Sequence, residues 1–141
     1  TFTNAIMYMI TSGASHSVQF GLAAMYKAAC DGQIDFVADT MEYGRRAEKM
    51  KRLFCENGFH VVYDKDVEQP IGDGFFFTIG YPGMTSGELM RELLYYGISS
   101  ITLNTTGSLQ EGIRACTSRM TDELFDILEQ RLKAFKTDHP L

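Results

Sequence analysis

Arg114 is the residue of this chain whose type and setting best suit binding of a small acid. It lies in a β-prone run, residues 112–118, which follows a loop that contains Gly107 and Ser108. A guanidinium held on a strand can bind a carboxylate through two parallel hydrogen bonds. A strand arginine taken alone more often faces solvent, and it is the pattern around Arg114 that favours binding.

The spacing of apolar residues predicts the strands around Arg114. From residue 59 onward the apolar side chains alternate, which is typical of β-structure. The predicted strands are residues 59–63, 75–81, 98–104 and 112–118, with a polar loop at 64–73. The last strand has two faces, one with Ile113, Ala115 and Thr117 and one with Arg114 and Cys116.

Capping residues mark the helices near this sheet. Thr85 and Glu88 form a capping box that begins a helix, and Gly97 follows its end. Thr121 begins the last helix, which carries basic residues near its C-terminal end. Its predicted apolar stripe is Leu124, Leu128, Leu132 and Phe135. Residues 137–141 are expected to fray.

Two helical segments precede the sheet. Residues 1–31 are predicted to be helical on both sides of a small polar patch at 11–17, with Ser15 or Ser17 as an N-cap. A longer helix is predicted at 34–56, before the stop signal Asn57-Gly58. Its apolar stripe is Val37, Met41, Gly44, Ala47, Met50 and Phe54.

Taken in order, these elements predict an α/β protein of the α+β type. A helical N-terminal segment is followed by the order β-β-α-β-β-α. The sheet is expected to be small, mixed or antiparallel, and covered on one face by helices.

Composition excludes several classes of function. The 141 residues are 45% apolar and 22% charged, as in a globular domain. A formal charge of −5 argues against nucleic-acid binding, since phosphates require a basic surface. Neither a membrane span nor a secretory signal is expected. Cys30, Cys55 and Cys116 have the spacing of reduced, partly buried thiols, which indicates a cytoplasmic protein without a disulfide or a metal site.

Four short motifs follow one another along the chain. They are the small polar loop of residues 12–19, Tyr43-Gly44-Arg45-Arg46, Pro70-x-Gly72-x-x-Phe75, and Gly107-Ser108 followed by Gly112-Ile113-Arg114. In this order they resemble the C-terminal (small) domain of a class I/II, fold-type-I aminotransferase that depends on pyridoxal phosphate. The resemblance implies that Arg114 holds the α-carboxylate of the substrate.

The resemblance also indicates what the chain does not supply. Such enzymes bind pyridoxal phosphate covalently through a lysine in a Ser-x-x-Lys setting. None of the six lysines of this chain has that setting. They are Lys27, Lys49, Lys51, Lys65, Lys133 and Lys136. The chain alone is therefore expected to be inactive. Its start at Thr1, directly before an apolar run, is interpreted as a cut within a larger protein.

The domain organisation follows from the same resemblance. Residues 1–33 are expected to be a strip of the large domain with dimer-interface helices, residues 34–58 a domain-spanning helix, and residues 59–141 the small domain. The implied partners are the missing N-terminal large domain, a second subunit of a homodimer, and an amino acid or 2-oxo acid as substrate.

Other polar residues are weaker candidates for function. Ser12, Ser15 and Ser108 are possible substrate-loop or interface residues, although helix capping and turn formation explain them equally well. Arg45 and Arg46 are interpreted as salt-bridge partners on a solvated helix, or as dimer contacts, and not as substrate ligands.

Three other functions remain open at the level of sequence. A decarboxylase, lyase or acyltransferase of the same fold type would have a similar small domain. A free-standing regulatory domain that binds a small ligand such as an amino acid fits the bare β-β-α-β-β-α order. An interaction domain without a ligand fits the composition but explains none of the four motifs.

Overall fold

The structure of the chain is a mixture of helix and sheet. The computed structural model describes residues 6–71 and 74–141, apart from the side chain of Asp39. It is 54% helical and 13% strand, with a small antiparallel sheet, and the predicted α+β class is thereby confirmed. The chain divides into two compact units, Thr1–Thr40 and Met41–Leu141.

The first unit consists of helices that bury none of their own residues. α1 (Tyr8–Thr11) and α2 (His16–Cys30) have no buried side chain. Ser15 occupies the N-cap position of α2, as predicted, but its hydroxyl makes no capping hydrogen bond. The helix stops before Gly32, whose φ of +72° suits a residue without a Cβ. Residues 1–5 of the predicted helix lie outside the described residues.

The longest helix, α3 (Phe36–Glu56), begins two residues later than predicted. The Asp35 carboxylate accepts hydrogen bonds from the N–H groups of Val37 and Ala38 at 3.0 and 2.9 Å, which fixes that start. The prediction that Val37 and Met41 face a core is wrong, because their side chains are 72% and 68% exposed.

Burial in α3 begins further along the helix. The ring of Tyr43 contacts Phe75, with 4.7 Å between centroids, and Ala47, Met50 and Phe54 are buried as predicted. Within the second unit, burial of the apolar stripe is therefore confined to the C-terminal part of α3.

Short strands and two further helices follow α3. The strands in the described part of the chain are β1 (His60–Val61), β2 (Lys65–Asp66), β3 (Gln69–Pro70), β4 (Phe76–Gly80), β5 (Ile101–Thr102) and β6 (Ile113–Cys116). Helix α4 (Ser86–Tyr95) connects β4 to β5, and α5 (Asp122–Asp138) follows β6. β1, β4, β6 and β5 form an antiparallel sheet in that order, and β2 pairs with β3 as a hairpin.

Two predictions about strands are wrong. The segment predicted as a loop at 64–73 contains the β2–β3 hairpin, although its turn carries Val67 at φ +55° and lacks a glycine. The strand predicted at 98–104 is reduced to β5. The chain then turns into a 3-10 helix (Leu103–Thr106), at whose start the buried Leu103 donates its N–H to the Gly112 carbonyl at 2.9 Å.

One hydrophobic core lies against one face of the main sheet, here called the inner face. Its sheet residues are Phe77, Ile79, Ile113 and Ala115, and its helix residues include Phe54, Leu89, Leu93, Phe125, Leu128, Leu132 and Phe135. Phe125 is buried where Leu124 was predicted, since a helical stripe is uncertain by one residue when both positions are apolar.

The prediction that residues 137–141 fray is wrong. α5 continues to Asp138, and the Tyr81 hydroxyl donates a hydrogen bond to the His139 carbonyl at 2.5 Å. The Tyr96 hydroxyl donates to the Asp138 carboxylate at 2.6 Å, and this acceptor raises the pKa of Tyr96 to about 12. These two side-chain bonds attach the last residues to the core.

Candidate functional site

Arg114 lies on the sheet face opposite the core, here called the outer face. Its cross-strand neighbours are Thr78 of β4 and Ile101 of β5. The burial pattern of β6 follows the predicted alternation: Ile113 and Ala115 are buried, Arg114 is half-buried and Cys116 is exposed. The outer face is formed by Phe76, Thr78, Ile101, Arg114 and Cys116.

The guanidinium of Arg114 lies over an aromatic ring. Its Cζ is 4.2 Å from the centroid of the Phe76 ring, which is a cation–π contact. In the described part of the chain, no carboxylate pairs with this guanidinium and no side chain hydrogen-bonds to it. Its hydrogen-bond donors are therefore available to an external acid.

A cavity of about 410 Å³ opens beside Arg114. It lies between residues 97–101, the β6 edge and α5, and we call it the Arg114 cavity. The buried rings and chains at its base include Phe54 and Leu128. Its volume is in the range of small-molecule sites, and none of the described aspartates or glutamates lines it.

Two further polar groups line the Arg114 cavity. The Arg131 guanidinium donates a hydrogen bond to the Gly97 carbonyl at 2.7 Å. The hydroxyl of Ser100 is buried and has no hydrogen-bond partner among the described residues. A buried hydroxyl without a partner is rare, since burial removes the water that would otherwise satisfy it.

The loop before Arg114 is attached to the start of α4. The Ser86 hydroxyl accepts a hydrogen bond from Gly112 N–H at 2.8 Å and donates one to Glu111 at 2.6 Å. Glu111 also accepts from the Ser86 N–H at 2.5 Å, and these two bonds from Ser86 hold the pKa of Glu111 below its ordinary value. The start of β6 is thereby fixed relative to α4.

Gly112 is required at this attachment for steric reasons. Its φ is +145°, and a Cβ placed on it would lie 2.6 Å from the Ile79 carbonyl oxygen. A larger residue would therefore displace β6 from β4.

The three candidate serines have local polar contacts, and they divide between the two units. Ser108 does not line the Arg114 cavity; its hydroxyl lies 2.6 Å from the Tyr63 hydroxyl and accepts from Gln110 N–H at 2.9 Å. Ser12 and Ser15 belong to the first unit, where both are exposed, and the Ser15 hydroxyl lies 3.0 Å from that of Ser17.

Arg45 and Arg46 are engaged within the protein, as predicted. Both donate to the Glu42 carboxylate at 2.8 Å, and Arg46 also donates to the Ser118 carbonyl at 3.2 Å. Hydrogen bonds from Arg45 and then Arg46 lower the pKa of Glu42 to about 2. These arginines tie α3 to the segment after β6.

Among the described residues no lysine lines the Arg114 cavity, so the cavity does not supply the amine to which pyridoxal phosphate would bind covalently. Four lysines contact acceptors elsewhere in the chain. Lys27 pairs with Asp31, Lys49 with Asp122 and Lys133 with Glu129, and Lys136 donates a hydrogen bond to the Glu56 carbonyl. Across residues 6–71 and 74–141 there is also no cluster of acidic, histidine or cysteine side chains that could hold a metal.

Two of the three cysteines are more exposed than predicted. Cys30, Cys55 and Cys116 are all free thiols in exposed residues, and the expectation of partial burial is wrong for Cys30 and Cys116. The Cys55 thiol is partly buried, and this burial is the main reason that its pKa is raised.

Comparison with known proteins gives no assignment, since the chain matches no protein-family model and no curated protein. Among the described residues, no helix combines the length and apolar character needed to cross a bilayer.

Sequence reasoning missed four residues of the site: Phe76, Ser86, Ser100 and Arg131. Phe76 and Arg131 carried a signal, because both belong to correctly predicted elements, but their proximity to Arg114 depends on the strand register and on the helix position. Ser86 was assigned only to the first turn of α4. No feature of the sequence singled out Ser100, because it lay in the part of the predicted strand 98–104 that precedes β5.

Proposed function

We propose that this chain supplies the substrate-carboxylate site of a class I/II, fold-type-I aminotransferase that depends on pyridoxal phosphate. The enzyme moves an amino group between an amino acid and a 2-oxo acid, and Arg114 holds the carboxylate that both share. One observation carries the proposal: the Arg114 guanidinium is half-buried on the outer face and has no acidic partner among the described residues. The order of the four sequence motifs supports it.

The chemistry of Arg114 is recognition and orientation. A bidentate pair with a carboxylate contributes about 1.5–3 kcal/mol, because both partners are charged. The bond network of Ser86 and Glu111 fixes the strand that carries the guanidinium. The carboxylate is thereby held in one orientation, which sets the position of the α-carbon next to it.

The remaining parts of the enzyme are proposed to come from elsewhere. Pyridoxal phosphate, when bound, supplies the electron sink that allows bonds at the α-carbon of an amino acid to break. Its lysine belongs to a large domain outside this chain, to which residues 1–33 add a strip. Residues 34–58 connect that domain to the small domain at 59–141. We further propose a homodimeric enzyme located in the cytoplasm.

The first prediction concerns Arg114→Lys in the enzyme that contains this chain. Lysine keeps the charge but loses the two-pronged geometry, so KM for the amino acid should rise about tenfold or more. Absorbance of the bound cofactor should stay unchanged. Steady-state kinetics and an absorbance spectrum measure the two effects.

The matched control is Arg91→Lys on α4, an arginine that pairs with Glu92 away from the cavity. It should leave KM unchanged. If Arg114→Lys behaves in the same way, Arg114 does not bind the substrate.

The assignment to a pyridoxal-phosphate enzyme has a separate test. The reading frame before Thr1 should encode a lysine in a Ser-x-x-Lys setting. The 141-residue chain mixed with pyridoxal phosphate should show no absorbance band of lysine-bound cofactor. A natural start codon at Thr1 would instead favour a free-standing domain that binds a small ligand.

A further inference from the structure

We infer that the Arg114 cavity receives the side chain of the acid whose carboxylate Arg114 holds, and that this side chain is bulky and apolar. The substrate class is then an amino acid and 2-oxo acid pair with an aliphatic or aromatic side chain. This inference rests on the proposed function, because it needs the carboxylate to bind at Arg114.

The walls of the cavity are apolar and partly open. Ile101, Leu124 and Ile127 line it while 41–42% of each side chain is exposed. Below them lie Phe54 and Leu128, which are buried. An apolar side chain of the substrate would cover the exposed wall residues and remove their surface from water, which favours binding.

The charges around the cavity select against other substrates. Among the described residues no aspartate or glutamate lines it, so a substrate with a basic side chain meets the guanidinium groups of Arg114 and Arg131 without a carboxylate from these residues. A second carboxylate on the substrate would have only Arg131 to bind. That guanidinium already donates to the Gly97 carbonyl and lies at the exposed rim.

Arg114 is joined to the residues that line the cavity because its cross-strand neighbour is Ile101. Ser100, the residue before Ile101, also lines the cavity. Its hydroxyl is buried and has no hydrogen-bond partner among the described residues, so a bound acid would reach it only after the Ser100 side chain rotates.

The experiment measures binding of four acids to the 141-residue chain by NMR titration. The probes are pyruvate, α-ketoisocaproate, phenylpyruvate and α-ketoglutarate. We expect α-ketoisocaproate and phenylpyruvate to bind about tenfold or more tightly than pyruvate, and α-ketoglutarate to bind no better than pyruvate. The amide signals of Ser100, Ile101 and Arg114 should shift.

Two variants separate the carboxylate from the side chain. Arg114→Gln should weaken binding of all four acids about tenfold or more. Ile127→Ser removes apolar surface from the exposed wall without adding a charge, and it should weaken only the two apolar acids. Arg91→Gln and Val67→Ser are the matched controls outside the cavity, and both should bind like the parent chain.

The outcomes distinguish the two proposals. If all four acids bind equally and depend on Arg114, the carboxylate site stands and the apolar specificity is wrong. Tightest binding of α-ketoglutarate would also overturn the apolar specificity. If no acid responds to Arg114→Gln, or no acid binds, the carboxylate role of Arg114 fails and the inference fails with it.

Discussion

Arg114 differs from Arg45 and Arg46 of α3 in the group that contacts its guanidinium. Arg45 and Arg46 are held by the Glu42 carboxylate, whereas Arg114 rests on the Phe76 ring. A cation–π contact at such a site contributes about 0.5–1 kcal/mol, which is less than a charge-assisted bidentate pair. A ring can therefore orient this guanidinium without competing with an incoming carboxylate, since it occupies the face and leaves the N–H edge free.

Gly112 gives a prediction at the scale of a single residue. Gly112→Ala should lower the free energy of unfolding by about 2–3 kcal/mol, because the new methyl group meets the Ile79 carbonyl and φ is positive. Denaturant unfolding measures the change.

The control for this substitution is Gly44→Ala in α3. A Cβ there meets no atom within 4 Å and the backbone is helical, so stability should rise by about 0.5–1 kcal/mol. If both variants unfold like the parent, the close approach at Gly112 has no energetic consequence.

At the scale of elements, the helices were more predictable than the strands. Thr85 and Glu88 form the predicted capping box, and Thr121 caps α5, because these signals act over three residues of contiguous chain. The length of β5 was overestimated, because the chain leaves the sheet at the buried residue Leu103 and the sequence does not specify that position. The β2–β3 hairpin was missed because its turn lacks the usual glycine or asparagine.

The site itself was predictable only in part. The alternation along β6 placed Arg114 opposite the core side chains, because that depends on local geometry alone. The ring of Phe76, the cavity and the unpartnered Ser100 depend on the register between strands and on the position of α5. No feature of a single sequence specifies those distances.

The attachment of the loop to α4 gives a prediction about pH. The pKa of Glu111 is lowered in the folded protein, so its bonds stabilise the loop above the ordinary carboxyl pKa of about 4.3. This stabilisation is lost as pH falls through the lowered value. Hydrogen exchange of the Gly112 amide, measured relative to that of buried core amides, should therefore lose protection selectively below about pH 4.

Glu111→Gln serves as the control for that pH dependence. Its amide oxygen can still accept from Ser86, but it does not titrate. The selective loss of Gly112 protection at low pH should be absent in this variant. Equal pH dependence in both proteins would assign the effect to another carboxylate.

At the scale of the whole molecule, the buried core belongs to the second unit alone. Every member of the core cluster lies between Met50 and Phe135, and neither α1 nor α2 has a buried residue. Exposed apolar residues are instead concentrated in the first unit, where Met9, Ile10 and Phe20 are 77–81% exposed. Exposed apolar surface of this kind marks a site of protein or membrane contact or a tendency to aggregate.

Removal of the first unit should therefore leave the fold intact. A chain of residues 35–141, which retains the Asp35 cap, should unfold cooperatively within about 1 kcal/mol of the parent, or about 4–8 °C in Tm. Calorimetry and amide NMR spectra test this. The shorter chain should also self-associate less in sedimentation experiments, and loss of its cooperative transition would contradict the division into units.

Cys116 is a site on the outer face that thiol-reactive reagents can label. Its thiol is exposed, lies on the same face as Arg114 two residues away, and lines the same cavity. After replacement of Cys30 and Cys55 by serine, a fluorophore or spin label attached there would report occupancy of the cavity directly. The same exposure makes this position, like Cys30 and Cys55, vulnerable to oxidation and alkylation, so preparations stored in air should lose free thiols that reducing conditions preserve.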